Sequence, residues 1–235
     1  LTLAVFVHPV SQDLGWSRTL IAGAASFGGL ASSVASPAVG WLSDRYGVRL
    51  VLTSGVFILG ISTISLAWAT VPVAFYLAYG AGRVIFASSV HIGATVVVAR
   101  WFVQQRGRAM GILFLFQSAG MVLFPLIASL AIQHRGWQEA WMLLGALVWI
   151  VALGPVYLLI VQRPEDLGLQ PDGDAAPAVV GETATATVPD EPAWTLREAM
   201  ATPTLWLLAV PTGSLFVVQA GTNIHQAAYF VDQGL

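Results

Sequence analysis

The chain has 235 residues, of which 57% are hydrophobic and 9% charged, with a formal net charge of −2. Soluble domains carry about 25% charged residues, so this composition excludes a soluble globular protein, and without a basic excess nucleic-acid binding has no electrostatic basis. With no cysteine in the sequence, a disulfide framework, a thiolate metal site and a cysteine nucleophile are excluded as well. A mean hydropathy of +0.76 predicts an all-α, multi-pass membrane protein with the lipid bilayer as its solvent. All ten basic residues are arginine, a bias that points to GC-rich coding and a bacterial source.

In chain order, residues 1–10 predict part of a first span, which ends at the His8-Pro9 break and is followed by a loop over 11–18. That run is about half a bilayer crossing at 1.5 Å per residue, and the last residues stop soon after another apolar run. The chain is therefore expected to be a piece cut at both ends. Residues 19–42 form the second expected span, rich in glycine, alanine and serine, which lets helices approach closely. The third span is expected over 50–69, followed by a minimal turn in which Pro72 suits a helix start. The fourth runs over 73–99, the fifth over 109–132 and the sixth over 139–161, with a basic loop at 100–108 and a turn at 134–138. Pro125 is expected to kink the fifth.

Residues 162–194 hold five prolines (Pro164, Pro171, Pro177, Pro189 and Pro192) and most of the acids. They predict a hydrated linker between a bundle over 1–161 and a segment over 195–235. Thr195 and Glu198 fit a capping box, so a short interfacial helix should precede a seventh span over 204–229, interrupted by Pro211 and Gly213. Alternate loops then separate by charge. Arg45, Arg49, Arg100, Arg106, Arg108, Arg163 and Arg197 fall on one side, against Arg18 and Arg135 on the other. The positive-inside rule puts the first set, with the linker, in the cytoplasm.

Polar side chains are shared unevenly among the spans. The fourth has Arg83, Ser88, Ser89, His91 and Thr95; the seventh has Gln219, Asn223 and His225; the first has His8; the sixth, over 141–161, has only Tyr157. Polar groups are tolerated in a membrane where they face protein or a water-filled cavity. The first, fourth and seventh helices are thus expected to line a cavity and the sixth to face lipid. Arg83 is the leading candidate, because a charge near mid-bilayer costs about 2.5–3.5 kcal/mol even on translocon-based scales. It is either a fork for a carboxylate or a modulator of proton transfer, or else it belongs to a permanent ion pair or caps backbone carbonyls. His91, eight residues on, falls about 80° around a 3.6-residue helix. It either titrates in the cavity or bonds a neighbouring helix. His8 and His225 lie near the ends of their spans. Gln219 and Asn223 either donate to substrate oxygens or join helices. No acid falls inside the expected spans, so a proton carrier in this chain is a histidine.

The stretch between the second and third spans runs Gly40-Trp-Leu-Ser-Asp-Arg-Tyr-Gly-Val-Arg-Leu-Val-Leu52. It offers Gly40 for close backbone approach, Asp44 for backbone N–H groups or an arginine, and Gly47 for a tight turn. Gly40, Leu42, Ser43, Asp44, Arg45, Gly47, Arg49 and Leu52 match the G-x-L-(A/S)-D-R-x-G-(R/K)-(R/K)-x-x-L loop of the major facilitator superfamily, which the stretch resembles; Val48 replaces one basic residue. Trp101-Phe-Val-Gln-Gln-Arg-Gly-Arg-Ala-Met-Gly111, with Arg100, Arg106, Gly107 and Gly111, is similar to the W-F-x-x-x-R-G-x-A-x-G entry of monocarboxylate-transporter-like and oxalate/formate-antiporter-like members. Arg135-Gly-Trp137, Arg163-Pro-Glu-Asp-Leu-Gly-Leu169 and Leu196-Arg-Glu-Ala199 resemble further motifs of that branch. Arg83 resembles the arginine of a fourth-helix R-x-x-x-G motif, with Ala87 at the glycine.

The resemblance implies the N-terminal six-helix bundle, two inverted three-helix repeats, plus one helix of the C-terminal half. It also implies alternating access about a midplane site. The implied function is secondary transport of a small monocarboxylate-like anion, driven by protons or exchange, in a bacterial cytoplasmic membrane. A monomer is implied, with Asp44 and Arg45 as gate parts and neither cofactor nor metal. The alternative is an exporter or facilitator of neutral or cationic molecules. An intramembrane enzyme is disfavoured, since neither H-E-x-x-H nor G-x-S-x-G occurs.

Overall fold

The computed structural model describes residues 2–161, 167–169 and 196–232, with the side chains at 196 and 219–232 outside that description. Contacts divide the chain into two units, Leu1–Ala178 and Val179–Leu235. The first begins with α1 (Thr2–Leu14) and α2 (Arg18–Tyr46). Next come α3 (Val48–Trp68), whose last turn from Leu66 is 3-10, and α4 (Pro72–Trp101). The following helical run, Arg106–Leu159, is 54 residues long, roughly 80 Å at 1.5 Å per residue against a hydrocarbon core of about 30 Å. It folds back at Gly136, whose φ of 87° and ψ of 170° lie in a region essentially reserved for glycine. The two arms are α5 (106–135) and α6 (137–159). In the second unit, α7 (Leu196–Ala201) leads into α8 (Pro203–Asp232). Trp206 Nε1 donates to the Met200 carbonyl at 2.9 Å across their junction.

Arg18–Tyr46, Val48–Trp68, Pro72–Trp101 and Arg106–Leu159 are each long and apolar enough to cross a membrane. Their outer faces carry fully presented apolar side chains, among them Leu30, Val34, Leu115, Ile150 and Leu158, as lipid requires and water penalises. Lipid tails are as apolar as leucine, so close packing rather than water exclusion must hold the helices together. At Gly28 of α2, a Cβ would come within 2.8 Å of the Arg83 Cβ on α4. At Gly145 of α6, it would come within 3.0 Å of the Gly60 carbonyl oxygen on α3. Between helices, Tyr76 donates to the Leu20 carbonyl at 2.8 Å and Ser89 to the Val51 carbonyl at 2.7 Å.

The best-buried apolar cluster gathers at one end of this bundle. Phe6 stacks on Trp141 with ring centroids 3.8 Å apart, and around them lie Val10, Ile21, Ala24, Leu66, Phe75, Ala128, Trp137 and Leu144. Asp13 closes that end, accepting from Trp137 Nε1 at 2.9 Å and Gln138 Nε2 at 3.3 Å.

Several expected boundaries are corrected. α1 continues through Pro9 to Leu14, so the loop over 11–18 shrinks to three residues that begin at Gly15 with φ +67°. The second span, expected over 19–42, continues through residues 43–46 as the last turn of α2. Nothing in it breaks a helix until Gly47, at φ 90° and ψ 144°. A Cβ at Gly40 would meet nothing within 4 Å, so that glycine serves no close approach here. The basic loop over 100–108 reduces to four residues, because α4 runs to Trp101 and α5 starts at Arg106. Pro72 does occupy the start of α4. Pro125 and Pro211 lie inside α5 and α8, whose backbones stay helical past them. The short helix expected near Glu198 is α7; Thr195 and most of the 162–194 linker lie outside the described residues.

Candidate functional site

A cavity of about 490 Å³ opens inside the first unit. α1 supplies Thr2 and Leu3, α3 supplies Leu59, Ser62, Thr63 and Leu66, and α4 supplies Ala78, Tyr79, Gly82, Arg83 and Phe86. α5 adds Phe116, Gln117, Gly120, Met121 and Phe124, and α6 adds Trp141, Leu144 and Val148. The expected wall is corrected in two respects. α3 and α5 join α1 and α4 in it, and the first half of α6 belongs to it rather than to the lipid face. The cause is the close α3–α6 contact through Gly60 and Gly145, which turns Trp141 and Leu144 inward. The second half of α6, with exposed Ile150, Val151, Leu158 and Leu159, does present apolar side chains outward.

Most of the wall is apolar, and its small hydroxyls are partly spent. Thr63 donates to the Leu59 carbonyl at 2.8 Å. The Trp141 indole N–H is buried with no acceptor among the described residues. The remaining polar groups are Tyr79, Arg83 and Gln117. Tyr79 and Arg83 are one turn apart on α4 and therefore share a face. Among the described residues, Arg83 has neither an ion-pair nor a hydrogen-bond partner. The unit's described acids are engaged elsewhere: Asp44 with Arg100, Glu139 with Arg135, and Asp13 with Trp137 and Gln138. Of the alternatives for Arg83, an ion pair inside this unit finds no acid among these residues.

Position and chemistry around Arg83 follow from α2 and α4 together. The small residues of α2 let α4 come close, and Gly28 packs directly on the stem of Arg83. Immediately after it, Ile85–Ile92 is wound as π-helix, a departure that recurs at functional sites. This winding removes the basis of the 80° angle from Arg83 to His91. His91 is half-buried and does not line the cavity. Its Nδ1 lies 3.2 Å from Gln117 Nε2, so it bonds a neighbouring helix and backs a residue that does line the cavity. Gln117 is the residue sequence reasoning missed. Its signal was available, as a lone amide in an apolar run.

The other expected residues lie apart from this cavity or outside description. His8 is exposed on α1. Gln219, Asn223 and His225 lie on the α8 backbone, but their side chains fall outside the described residues. At the far end of the bundle, Asp44 meets Arg100 at 3.9 Å, with the Asp44 side chain 80% exposed. Arg45 lies 5.3 Å from the Trp41 ring centroid and 5.8 Å from that of Tyr46. Arg49 donates to the Tyr157 carbonyl at 2.7 Å. Arg106 donates to the Phe102 and Ala99 carbonyls at 3.3 and 3.1 Å, satisfying the exposed C-terminal end of α4. Gly107 and Gly111 are exposed in the first turns of α5 and have open space where a Cβ would stand. No group of three or more histidines and acids capable of holding a metal occurs among the described residues.

The family model described as Major Facilitator Superfamily matches residues 1–235. Similar proteins include an uncharacterized MFS-type transporter, YcxA, of Bacillus subtilis, 26% identical over 68% of this chain and 39% of its own length. A fujikurins efflux protein of Gibberella fujikuroi is 32% identical over 60% of this chain and 30% of its own. The probable anion transporter 6, chloroplastic, of Arabidopsis thaliana is 32% identical over 63% of this chain and 29% of its own. The chain thus spans well under half the length of these relatives. No solved structure matches it.

Proposed function

From the premise that the chain belongs to the Major Facilitator Superfamily, we propose that it forms the substrate-holding half of a secondary transporter for a small monocarboxylate-like anion. The observation that carries this reading is Arg83, a guanidinium on the cavity wall with no carboxylate beside it among the described residues. A planar fork in a mostly apolar cavity binds a carboxylate in two-pronged fashion. Tyr79 and Gln117 stand in the same wall to take the remaining oxygen contacts, and the apolar residues fit a short hydrocarbon body. The likeness to a probable anion transporter supports the choice of cargo. Transport proceeds by alternating access, driven by a coupled proton or an exchanged anion. The excess of arginines on the Gly47 side supports a cytoplasmic position for that side, and the all-arginine basic set supports a bacterial cell.

Replacing Arg83 with Gln in the whole transporter should cut uptake of a labelled monocarboxylate at least about tenfold, the cost of a charge-assisted contact of roughly 1.5–3 kcal/mol. Membrane insertion should persist. Uptake at the unaltered rate would remove Arg83 from the site. A second reading, efflux of apolar molecules, is favoured by the mostly apolar wall and by the likeness to an efflux protein. It predicts instead that Arg83→Gln leaves anion flux unchanged and alters resistance to an apolar toxin.

A further inference from the structure

A second cavity, of about 920 Å³, lies on the other side of α3, between it and the second half of α6. It shares no lining residue with the Arg83 cavity. Its ends differ in chemistry. At one end stands Arg49, exposed, and held in place twice by a single residue: its Nη2 donates to the Tyr157 carbonyl at 2.7 Å, and its guanidinium carbon lies 5.5 Å from the Tyr157 ring centroid. One of five N–H donors is thereby used. No carboxylate pairs with Arg49 among the described residues. At the other end, Phe57 and Trp149 stack with centroids 5.5 Å apart and planes 12° apart, and Trp149 Nε1 donates to the Phe57 carbonyl. Between the ends the walls are mostly apolar, with Leu50, Leu153 and Leu158 among them, and the hydroxyls of Thr53 and Ser54 donate to the Arg49 and Val51 carbonyls of their own helix.

The dimensions match one kind of molecule. From Arg49 to Phe57 is eight residues of α3, roughly 12 Å along its axis, close to the ~15 Å depth of one leaflet's hydrocarbon. The charged end lies next to the helix terminus at Gly47, where a membrane changes from oil to headgroup, and the aromatic floor lies toward mid-bilayer. A small soluble anion has no use for an apolar trough of this length. An acyl chain by itself has no use for a fixed guanidinium.

We propose that the α3–α6 trough is a binding site for an anionic phospholipid of the leaflet on the Gly47 side, with its phosphate on Arg49 and one acyl chain lying along Leu153 and Leu158 to the Phe57–Trp149 pair. The lipid braces the outer edge of α6 against α3 where the π-wound turn Trp149–Leu153 departs from regular helix. Basic pockets between membrane helices recognise such headgroups by charge, and this site adds a fitted chain.

The test uses the whole transporter in vesicles with lipids brominated on the acyl chain. The Trp149 share of the emission is isolated by difference from a Trp149→Phe variant. Brominated phosphatidylglycerol should quench it several-fold more than brominated phosphatidylcholine at equal mole fraction. Arg49→Gln should bring the two lipids to equal quenching, and Arg49→Lys should restore part of the difference. Ser54→Phe, placed on the exposed side of α3 midway along the trough, should lower the preference with Arg49 intact. Equal quenching by both lipids in the unaltered protein would overturn the proposal. So would a preference that survives Arg49→Gln or Ser54→Phe unchanged. Relief of the quenching by inorganic phosphate at fixed ionic strength would assign Arg49 to a free anion and overturn it too.

Discussion

Arg83 stands out in the sequence because nothing else charged falls inside the apolar runs, and the cost of placing it there is several times thermal energy. Its neighbour in the cavity, Gln117, did not stand out, because an amide costs less to bury and polar residues in spans often only join helices. Once folded, His91 and Gln117 act as a relay of position: His91 Nδ1 holds the Gln117 amide at 3.2 Å, and Gln117 lines the same cavity as Arg83. Losing one neutral hydrogen bond costs about 1 kcal/mol. Gln117→Ala should therefore raise the KM for a carboxylate roughly fivefold, and His91→Ala should raise it less. The double variant should be no worse than Gln117→Ala alone, since His91 acts through the amide. Additive effects in that cycle would show His91 acting independently. Of the two readings open for His91, the structure shows the bond to a neighbouring helix; the angle that allowed the other assumed a winding that the π segment Ile85–Ile92 does not have.

At the scale of helices, two glycines do different work and should fail differently. Gly136 turns the chain from α5 into α6 at φ 87°, and any side chain there is strained by about 1–3 kcal/mol. Gly136→Ala should lower the melting temperature of the purified transporter and leave KM alone. Gly28 has ordinary helical geometry, and its cost is contact: a methyl there would come within 2.8 and 2.9 Å of the Arg83 Cβ and Cγ. Gly28→Ala should move Arg83 and raise KM as well as lowering the melting temperature. Equal effects of the two substitutions on KM would refute this division. The number and order of the helices through α6 were legible in hydropathy and turn residues. Which face each helix buries was less so. The inward turn of Trp141 depends on Gly60 and Gly145 meeting across α3 and α6, a pairing between residues 85 positions apart that no periodicity reveals. The second span, expected to end at Leu42, runs four residues further because helix persists wherever nothing stops it, and only Gly47 does.

At the scale of the whole bundle, the two ends are built with different strengths. One is filled by Phe6, Trp141, Phe75 and their neighbours and tied by Asp13. The other carries the smaller buried side chains Val48, Val51 and Leu52, the Arg49 bond to the Tyr157 carbonyl and an Asp44–Arg100 ion pair 3.9 Å long whose Asp44 side chain is 80% exposed, a contact of the kind that contributes about 0–1 kcal/mol. Local opening follows local packing. Amide exchange in the reconstituted protein should therefore be fastest around 44–50 and 100–106 and slowest around 6–10 and 137–144. A uniform rate along the helices would contradict it. Warming should unzip this bundle from the Gly47 rim inward, with the Phe6–Trp141 plug the last knot to give.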